Sequence, residues 1–425
     1  ALSVIVTVHE YGHYIIGRLS GIRAEAFSIG FGPALLKRTD KRGTVWKISA
    51  IPLGGYVKFL GDANVASAGV DTGTMAALSP EERRHTMHGA PLWARAATVA
   101  AGPIFNFLLS IVIFAGAMIW SGTATDEPTV GEMLRLPTGT AELQAGDRIL
   151  AVNGIATPDY PALQEVLGVL PSTPTLPWTV ERDGQEMQIT GPQPFPPVLA
   201  GVAPQSAAYD AGLKADDVIT AIDGAPIWRF AELQEKVKAA NGAELRLSIW
   251  RPEGAQSFDV TLAPRRMDLP TAAGGFETRW LIGATGSFVF DPATRATGLF
   301  EALSGGARQV WGTITTSLSA LEHIVLGKIS ACNLHGAIGI AEGSAAAAKS
   351  GPADFVWFIA VLSTAVGFLN LFPIPMLDGG HLMFHLWEGI TGKPPSDRVM
   401  NVMMAVGVSL VLSLMLFGLW NDLTC

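Results

Sequence analysis

Three long runs without a charged residue constrain the fold of this chain more than any other feature. They cover residues 96–120, 355–376 and 402–420. Each run is close to the roughly 20 residues that cross a bilayer as a helix, and buried helices of soluble proteins rarely run so long without charge. A fourth apolar segment, 1–19, is expected to be a first transmembrane helix that is N-terminally truncated. The sequence therefore predicts a multi-pass α-helical membrane protein with four transmembrane helices.

The distribution of charge supports this class and predicts the orientation of the chain. Charged residues make up 16% of the sequence, against about 25% in soluble proteins. Lys and Arg are concentrated in the loop 20–95, which the positive-inside rule assigns to the cytoplasm, so the insert 121–354 is expected on the outer side. The net charge of −8 gives no reason to expect a nucleic-acid partner. The two cysteines, Cys332 and Cys425, cannot form a disulfide framework.

The insert contains an internal repeat at an offset of 70 residues. AELQAGDRILAVNG (141–154) aligns with AGLKADDVITAIDG (211–224), and each copy leads into a short helical segment and a hairpin-like stretch. This pattern resembles the α+β PDZ domain, twice in tandem, at 125–197 and 198–290. PDZ domains bind extended peptides by adding a strand to a sheet edge. A small α+β domain without a ligand is the alternative for each copy.

The resemblance also assigns the peptide-binding loop, which in bacterial PDZ domains follows the last hairpin. In the second copy WLIGAT matches this loop, so Leu281, Ile282 and Gly283 are the candidate residues. In the first copy VLAGV (198–202) is a weaker match. Beyond the repeats, the apolar periodicity of 295–328 predicts an amphipathic helical linker at the outer membrane surface.

The first apolar segment carries the motif with the clearest chemistry. Its residues HEYGH (9–13) match the H-E-x-x-H pattern of zinc peptidases. His9 and His13 are four residues apart, so on a helix they share a face and reach one Zn²⁺. Glu10 projects near the same metal, where it is placed to accept a proton from the attacking water. Two surface histidines at a helix end are the alternative, and the apolar flanks argue against it.

A catalytic zinc needs a third protein ligand and one open position. Glu25 is the acid that follows the motif, with no convincing helix between them. The other candidate is Asp378 in NLFPIPMLDGGH (370–381), at the exit of the third apolar run. Pro373 and Pro375 break the helix just before it, and broken backbone at membrane depth is tolerated only where it is buried or lines a polar cavity. On this motif alone a helix-ending turn residue is the alternative for Asp378; together with H-E-x-x-H, Asp378 is the favoured ligand.

With these residues in place, the chain resembles the site-2 proteases, which are intramembrane zinc metalloproteases. The similarity is greatest to the Gram-negative sigma-E regulating type with two PDZ domains. HEYGH and NLFPIPMLDGG match the two metal motifs of this family, and FSIGFGP, IPLGGYVKF and AAGPIFNF match other segments. The resemblance implies His9, His13 and Asp378 as ligands of one Zn²⁺ per chain and Glu10 as the catalytic residue. It also implies that Asn370 holds the substrate backbone.

The segment 44–60 reads as two alternating β runs separated by Pro-Leu-Gly-Gly. The resemblance implies a membrane-dipping β-hairpin whose exposed edge takes an unwound stretch of substrate as an added strand. Gly54, Gly55 and Tyr56 are the candidate substrate-binding residues in this segment. A plain surface hairpin is the alternative, and for Asn370 the alternative is a helix-packing amide.

These expectations combine into one function. We expect an intramembrane zinc metalloprotease of the bacterial inner membrane that cuts single-pass proteins after an earlier outer-side cut. Its substrates would be an anti-sigma factor or signal-peptide-like segments. The periplasmic PDZ domains would either bind a new C-terminus or exclude bulky substrates, and the active site would lie near the cytoplasmic side, because the basic Arg18 follows closely. A non-catalytic PDZ-based membrane scaffold is the main alternative, and a peripheral zincin with a soluble active site is a further one.

Overall fold

The structure is a computed structural model that describes residues 1–63, 69–137, 142–271, 275–334 and 336–424. The α-helices in chain order are α1 (Leu2–Leu19), α2 (Thr72–Ala77), α3 (Pro80–Arg83), α4 (Leu92–Ser121), α5 (Tyr160–Val166), α6 (Ala207–Asp210), α7 (Phe230–Ala240), α8 (Leu299–Val325), α9 (Ala337–Ser350), α10 (Pro352–Asn370), α11 (Asp378–Thr391) and α12 (Asp397–Thr424). Single 3-10 turns cover Glu253–Ala255 and Ala331–Asn333.

The strands in chain order are β1 (Ala24–Thr39), β2 (Val45–Phe59), β3 (Thr123–Ala124), β4 (Val130–Met133), β5 (Arg148–Val152), β6 (Ile155–Ala156), β7 (Thr175–Arg182), β8 (Gln185–Pro192), β9 (Leu199–Val202), β10 (Val218–Ile222), β11 (Ala225–Pro226), β12 (Leu245–Arg251), β13 (Gln256–Leu262), β14 (Arg265–Pro270), β15 (Phe276–Leu281), β16 (Ala284–Gly286), β17 (Phe290–Pro292) and β18 (Thr294–Arg295). The chain divides into two compact units: a helical unit of Ala1–Ala117, Leu299–Leu321 and Ala331–Cys425, and a β-rich unit of Met118–Gly298 and Glu322–Ser330.

Within the described residues, three helices are long and apolar enough to cross a membrane. They are α4, α10 and the part of α12 that runs from Arg398 to Thr424. Each corresponds to one of the three uncharged runs in the sequence. These helices make the chain a membrane protein, and its β-sheets form PDZ-like domains. α1, which holds the fourth apolar segment, is an 18-residue helix.

The third apolar run is helical only in part. α10 ends at Asn370, whereas the run continues to 376. Pro373 and Pro375 lack the backbone N–H that a helix needs, and each disfavours helical geometry in the residue before it. The chain therefore leaves the helix at 371–377 and starts α11 with Asp378.

The helical unit packs α4 against α10 and α8. Phe114, Ala360 and Val310, one from each helix, are buried in a common apolar cluster. The hydroxyl of Ser110 donates to the carbonyl of Ala360 at 2.8 Å, and the hydroxyl of Ser363 donates to the carbonyl of Asn106 at 3.0 Å. Because these hydroxyls find carbonyl partners, the apolar contact between α4 and α10 contains no unpaired hydroxyl at these two positions.

The loop after α1 forms a larger sheet than the hairpin expected at 44–60. Residues 26–29 of β1 pair with 55–58 of β2 on one side and with 45–48 of β2 on the other. The two β runs of 44–60 therefore flank a segment of β1 instead of pairing with each other. Phe27 and Phe59 of this sheet are buried with Tyr14 of α1, so the sheet is anchored on the helix that carries H-E-x-x-H.

The β-rich unit repeats one arrangement twice. Its two four-stranded sheets have the orders β6-β5-β7-β8 and β11-β10-β12-β13. Leu163 of α5 and Leu233 of α7, which are 70 positions apart in the sequence, are each buried in the core beneath the corresponding sheet. The repeat read from the sequence therefore corresponds to a repeat of structure.

The boundary between the two repeats differs from the expected 125–197 and 198–290. β17 pairs with β4 of the first repeat, just as β16 pairs with β9 of the second. Val289 and Phe290 are buried in the core of the first repeat. The second repeat is thus inserted into the first, and VLAGV contains β9 of the second repeat rather than a loop of the first.

Each repeat has an Asp just before its first long strand, and in both repeats this Asp forms an ion pair with an Arg. Asp147 is fully buried and pairs with Arg182 at 2.7 Å, and Asp217 is fully buried and pairs with Arg251 at 2.7 Å. In each case the carboxylate raises the pKa of the guanidinium through a side-chain hydrogen bond. Each pair fastens the start of one core strand to the end of another.

The last residues of α12 hold the segment before α9. The carboxylate of Asp422 accepts backbone N–H groups from Gly336 at 2.8 Å and from Ile338 at 3.0 Å. An acid at a helix N-terminus satisfies donors that the helix itself leaves unpaired. Nearby, Cys332 is disulfide-bonded, a bond that the sequence reading did not anticipate; the other cysteine, Cys425, lies outside the described residues.

Candidate metal centre

The two histidines of the motif lie one turn apart on the same face of α1, which runs without a break through both of them. The Nε2 atoms of His9 and His13 are 3.1 Å apart, and their rings meet edge to face with centroids 4.7 Å apart. His9 is only 8% exposed. The two imidazoles therefore present neighbouring nitrogen atoms in a site with little access to solvent.

Glycine residues let α4 approach this face of α1. A Cβ at Gly102 would lie 2.3 Å from Nε2 of His13 and 2.8 Å from Cε1 of His9. A Cβ at Gly12 would lie 2.6 Å from the carbonyl oxygen of Ala101. Both distances are far inside van der Waals contact, so any larger residue at Gly102 would collide with the imidazoles themselves.

Asp378 reaches the same point from the opposite end of the sequence. As the first residue of α11 it follows the loop 371–377, which folds back onto the start of that helix. A Cβ at Gly379 would lie 2.3 Å from the carbonyl oxygen of Leu371, and one at Gly380 would lie 2.3 Å from that of Ile374. The Gly-Gly pair therefore permits the tight loop that aims Asp378 at the histidines.

The three side chains fit a single zinc ion. Oδ2 of Asp378 lies 3.1 Å from Nε2 of His9 and 3.5 Å from Nε2 of His13. Ligands of a tetrahedral zinc, with bonds of about 2.0–2.1 Å, stand about 3.3 Å apart. The same oxygen is buried, and the imidazole nitrogens of His9 and His13 are the polar atoms that face it, as expected of ligand atoms that share one metal ion.

The tautomer of His13 also suits metal binding. Its Nδ1 lies 2.8 Å from the carbonyl oxygen of Thr98 on α4. A carbonyl only accepts hydrogen bonds, so Nδ1 carries the proton and donates it. The Nε2 lone pair is then free to face the metal, which is the usual arrangement of zinc-binding histidines.

Glu10 lies between the metal site and the sheet edge. One of its carboxylate oxygens, Oε2, accepts the backbone N–H of Val57 at 3.1 Å. Because residues 55–58 pair with β1 on their other side, this N–H points out of the sheet. A Cβ at Gly55 would lie 3.6 Å from Cγ of Glu10. The catalytic candidate is therefore in direct contact with the backbone donor of an edge segment.

Comparison with known proteins agrees with this geometry. The sequence matches peptidase family M50 over residues 1–414. The chain belongs to this family, the site-2 proteases, and is a zinc metalloprotease. A Rhizobium meliloti protein provisionally named as a zinc metalloprotease is 37% identical over 99% of this chain and 94% of its own length. The regulator of sigma-E protease RseP of Salmonella typhimurium is 35% identical, and that of Escherichia coli is 34% identical, each over 99% of this chain and 96% of the relative.

The other site residues expected from the sequence lie in several places in this M50 peptidase. Asn370 is the last residue of α10, immediately before the loop that leads to Asp378. Tyr56 stacks on Phe31 of β1 with ring centroids 6.2 Å apart, and Gly54 lies against the same Phe31 ring. Glu25, the rival third ligand, is ion-paired with Lys58 at 2.7 Å.

The candidate peptide loop of the second repeat is built into the core of that repeat. Ile282 is 4% exposed, and its carbonyl accepts the backbone N–H of Ala208 at 2.8 Å. Gly283 has a φ of +78°, and a Cβ there would lie 2.1 Å from Cβ of Ser206. The residues Leu281–Gly283 thus lead into β16, the strand that follows them.

Three residues of α4 that touch the histidines were not singled out from the sequence. Thr98 bonds His13, Gly102 lies under both rings, and Asn106 contacts Nδ1 of His9 at 3.2 Å. Gly102 and Asn106 lie in AAGPIFNF, a segment that resembles the family, and Thr98 lies just before it. Their spacing of four residues, from 98 to 102 to 106, places all three on one helix face, but it does not indicate what that face contacts.

Proposed function

We propose that this M50 peptidase hydrolyses peptide bonds within the membrane with one Zn²⁺ per chain. His9, His13 and Asp378 would be its ligands and Glu10 its general base. The observation that carries the proposal is the convergence of three ligand atoms, 3.1–3.5 Å apart, from helices at opposite ends of the sequence. In the described part of the chain, this is the one group of three or more His, Cys, Asp or Glu residues that could hold a metal ion.

The chemistry of the chain's own residues centres on Glu10. Zinc, when bound, would polarise the scissile carbonyl and make the attacking water more acidic. The Glu10 carboxylate accepts the proton that this water loses on attack. It then gives the proton to the nitrogen of the leaving amine, so that one side chain serves as base and as acid. Burial of the site keeps bulk water from competing for these charges.

The sheet edge beside Glu10 supports the way in which a substrate is held. A transmembrane helix hides its peptide bonds in its own hydrogen bonds, so a stretch of substrate must unwind before it is cut. If an unwound stretch of substrate adds to the edge at Gly55 and Val57, one of its carbonyl groups would accept the hydrogen bond from the Val57 N–H. That carbonyl would replace Glu10 on the donor, and the carboxylate would be free to turn to the scissile bond. Gly54, Tyr56 and Asn370 would complete the substrate contacts.

The exposed apolar residues of this sheet support its position in lipid. Leu35 and Leu36 of β1 are 67% and 66% exposed, and Ile48 and Ile51 of β2 are 46% and 48% exposed. Four large apolar side chains exposed on one small sheet favour contact with lipid over contact with water. We assign this sheet to the membrane, beside the active site, and the active site to the cytoplasmic side of the bacterial inner membrane.

The substrates we propose are single-pass membrane proteins that have already been shortened on the outer side. Relatives at 34–35% identity are named regulators of sigma-E protease, which makes an anti-sigma factor a candidate, with signal-peptide-like segments as a second class. Both repeats of the β-rich unit would be PDZ domains in the periplasm. Ile282 of the candidate peptide loop is buried. This burial favours a screen for bulky outer domains over binding of a new C-terminus.

Cleavage of a model transmembrane substrate in detergent tests this function. Wild type should cut the substrate and contain one zinc per chain. Glu10→Gln should keep the zinc and lose cleavage, since it removes the base and leaves the ligands. Asp378→Asn should weaken zinc binding and lose cleavage. If both variants cut as fast as wild type, the mechanism is wrong; if wild type binds a membrane peptide but never cuts it, the scaffold alternative is favoured.

A further inference from the structure

Asn106 is a buried polar residue of α4 that the proposed chemistry does not use. Its side chain is completely inaccessible to solvent, and its amide nitrogen is placed 3.2 Å from Nδ1 of His9. The other end of the same amide, Oδ1, is buried without a hydrogen-bond partner. A buried amide oxygen without a partner costs about 1–3 kcal/mol, so this arrangement needs an explanation.

The orientation of the His9 ring supplies the explanation. Nε2 of His9 faces His13 and Asp378, so Nε2 is the nitrogen that would bind zinc. Nδ1 then carries the ring proton and is a donor. A donor needs an acceptor, and the amide group offers one only through Oδ1. Amide oxygen and nitrogen have nearly the same shape, and which of them faces a partner is decided by the hydrogen bonds.

We infer that Asn106 is a positioning residue of the metal centre, whose Oδ1 accepts the Nδ1–H of His9. Turning the amide by half a turn places Oδ1 against the ring proton, so that an acceptor and a donor replace two donors that faced each other, and the amide nitrogen moves to the position that has no partner. His9 is then held as His13 is held by the carbonyl of Thr98, at 2.8 Å. One face of α4, made of Thr98, Gly102 and Asn106, therefore fixes the rotation and the tautomer of both histidine ligands.

This inference rests on the proposed zinc site and extends it to the residues behind the ligands. Partners of this kind usually change metal affinity or activity by about 10- to 100-fold when they are removed. Asn106→Leu keeps the approximate volume and removes the acceptor, so it should weaken zinc binding by that factor. Asn106→Asp keeps an oxygen at Oδ1 and should bind zinc within about threefold of wild type.

The experiment measures the zinc dissociation constant of the full-length protein in detergent by competition with a chelator of known affinity. Ser110→Ala is the matched control, because Ser110 lies one turn further along the same face and bonds only the carbonyls of Asn106 and Ala360. Monodisperse elution and an unchanged melting temperature of the zinc-free protein verify that each variant is folded.

The inference predicts that Asn106→Leu loses zinc affinity while Asn106→Asp and Ser110→Ala keep it. It is overturned if folded Asn106→Leu binds zinc as tightly as wild type. It is also overturned if folded Asn106→Asp is as weak as Asn106→Leu, because His9 would then need a donor and not an acceptor. Failure of the zinc site itself has a different signature: wild type and all variants would bind zinc equally poorly.

Discussion

Because Gly102 lies directly against the two imidazoles, we predict that Gly102→Ala inactivates the enzyme. The added methyl group would lie 2.3 Å from Nε2 of His13 and 2.8 Å from Cε1 of His9. Ordinary contacts of such atoms are about 3.5 Å, so the His13 ring or the α4 backbone must move by about 1 Å. The backbone has little freedom, because Gly12 is already packed against the Ala101 carbonyl on the same side of α4.

The magnitude follows from this displacement. A misplacement of about 1 Å at a catalytic centre lowers the rate by about 100-fold. Zinc sites tolerate changes in ligand distance of only about 0.2 Å. Overpacking of this kind costs about 1–3 kcal/mol of stability, which leaves the helical unit folded. We therefore expect at least a 100-fold loss of cleavage of a model transmembrane substrate, together with less than one zinc per chain.

Gly116→Ala on the same helix is the control, because nothing lies within 4 Å of the Cβ it would add. This variant should cut at a rate within about twofold of wild type and keep its zinc. If Gly102→Ala cleaves and binds zinc like wild type, the close contact of α4 with the two imidazoles is wrong, since the two helices would then have room that the structure does not contain. Equal losses in both variants would attribute the effect to α4 as a helix and not to the imidazoles.

Three further changes test other parts of the structure. Val57→Pro removes the edge N–H that contacts Glu10, and proline is tolerated at a sheet edge whose N–H points outward. KM for a transmembrane substrate should rise by about tenfold, with the zinc content unchanged. An unchanged KM would contradict strand addition. Asp217→Ala leaves Arg251 without its buried partner and should lower the stability of the β-rich unit by about 3 kcal/mol. Limited proteolysis in urea measures this change. Equal protease resistance in wild type and variant would show that the Asp217–Arg251 pair does not stabilise the unit. Gly379→Ala would place a methyl group 2.3 Å from the Leu371 carbonyl and should lower zinc affinity by at least tenfold; wild-type affinity would show that the loop is not held by this contact.

The two histidines of the proposed metal site were predictable from the sequence, because their spacing of four residues places them on one helix face. Two histidines four apart need only a helix to meet, and their position in an apolar segment argued for function. The pairing of Asp378 with His9 is different. No local rule joins residues at the two ends of a chain, and the inference needed the family resemblance and the break at Pro373 and Pro375.

The partners behind the ligands could not be predicted, because they depend on how α4 lies against α1. Asn106 and Thr98 are ordinary residues of an apolar helix until that packing is known. The contact of Val57 with Glu10 depends in the same way on the register of β1 and β2. Sequence periodicity assigns a residue to a face, and only packing decides what that face meets.

The nested repeat shows a second limit of sequence reasoning. The offset of 70 residues identified two related units, and a simple tandem was the natural reading. The first unit, however, is completed by β17, which follows the whole second unit. Two short strands at 130–133 and 290–292 carry no signal that they pair, because each has too few residues to show a pattern of its own.

Anomalous diffraction at the zinc edge, from crystals of the full-length protein, tests whether His9, His13 and Asp378 together bind one zinc ion. We predict one strong peak per chain, bonded by Nε2 of His9, Nε2 of His13 and Oδ2 of Asp378 at about 2.0–2.2 Å. A peak that is bonded by Glu25 in place of Asp378, or a zinc-loaded crystal without a peak between the two histidines, would contradict it.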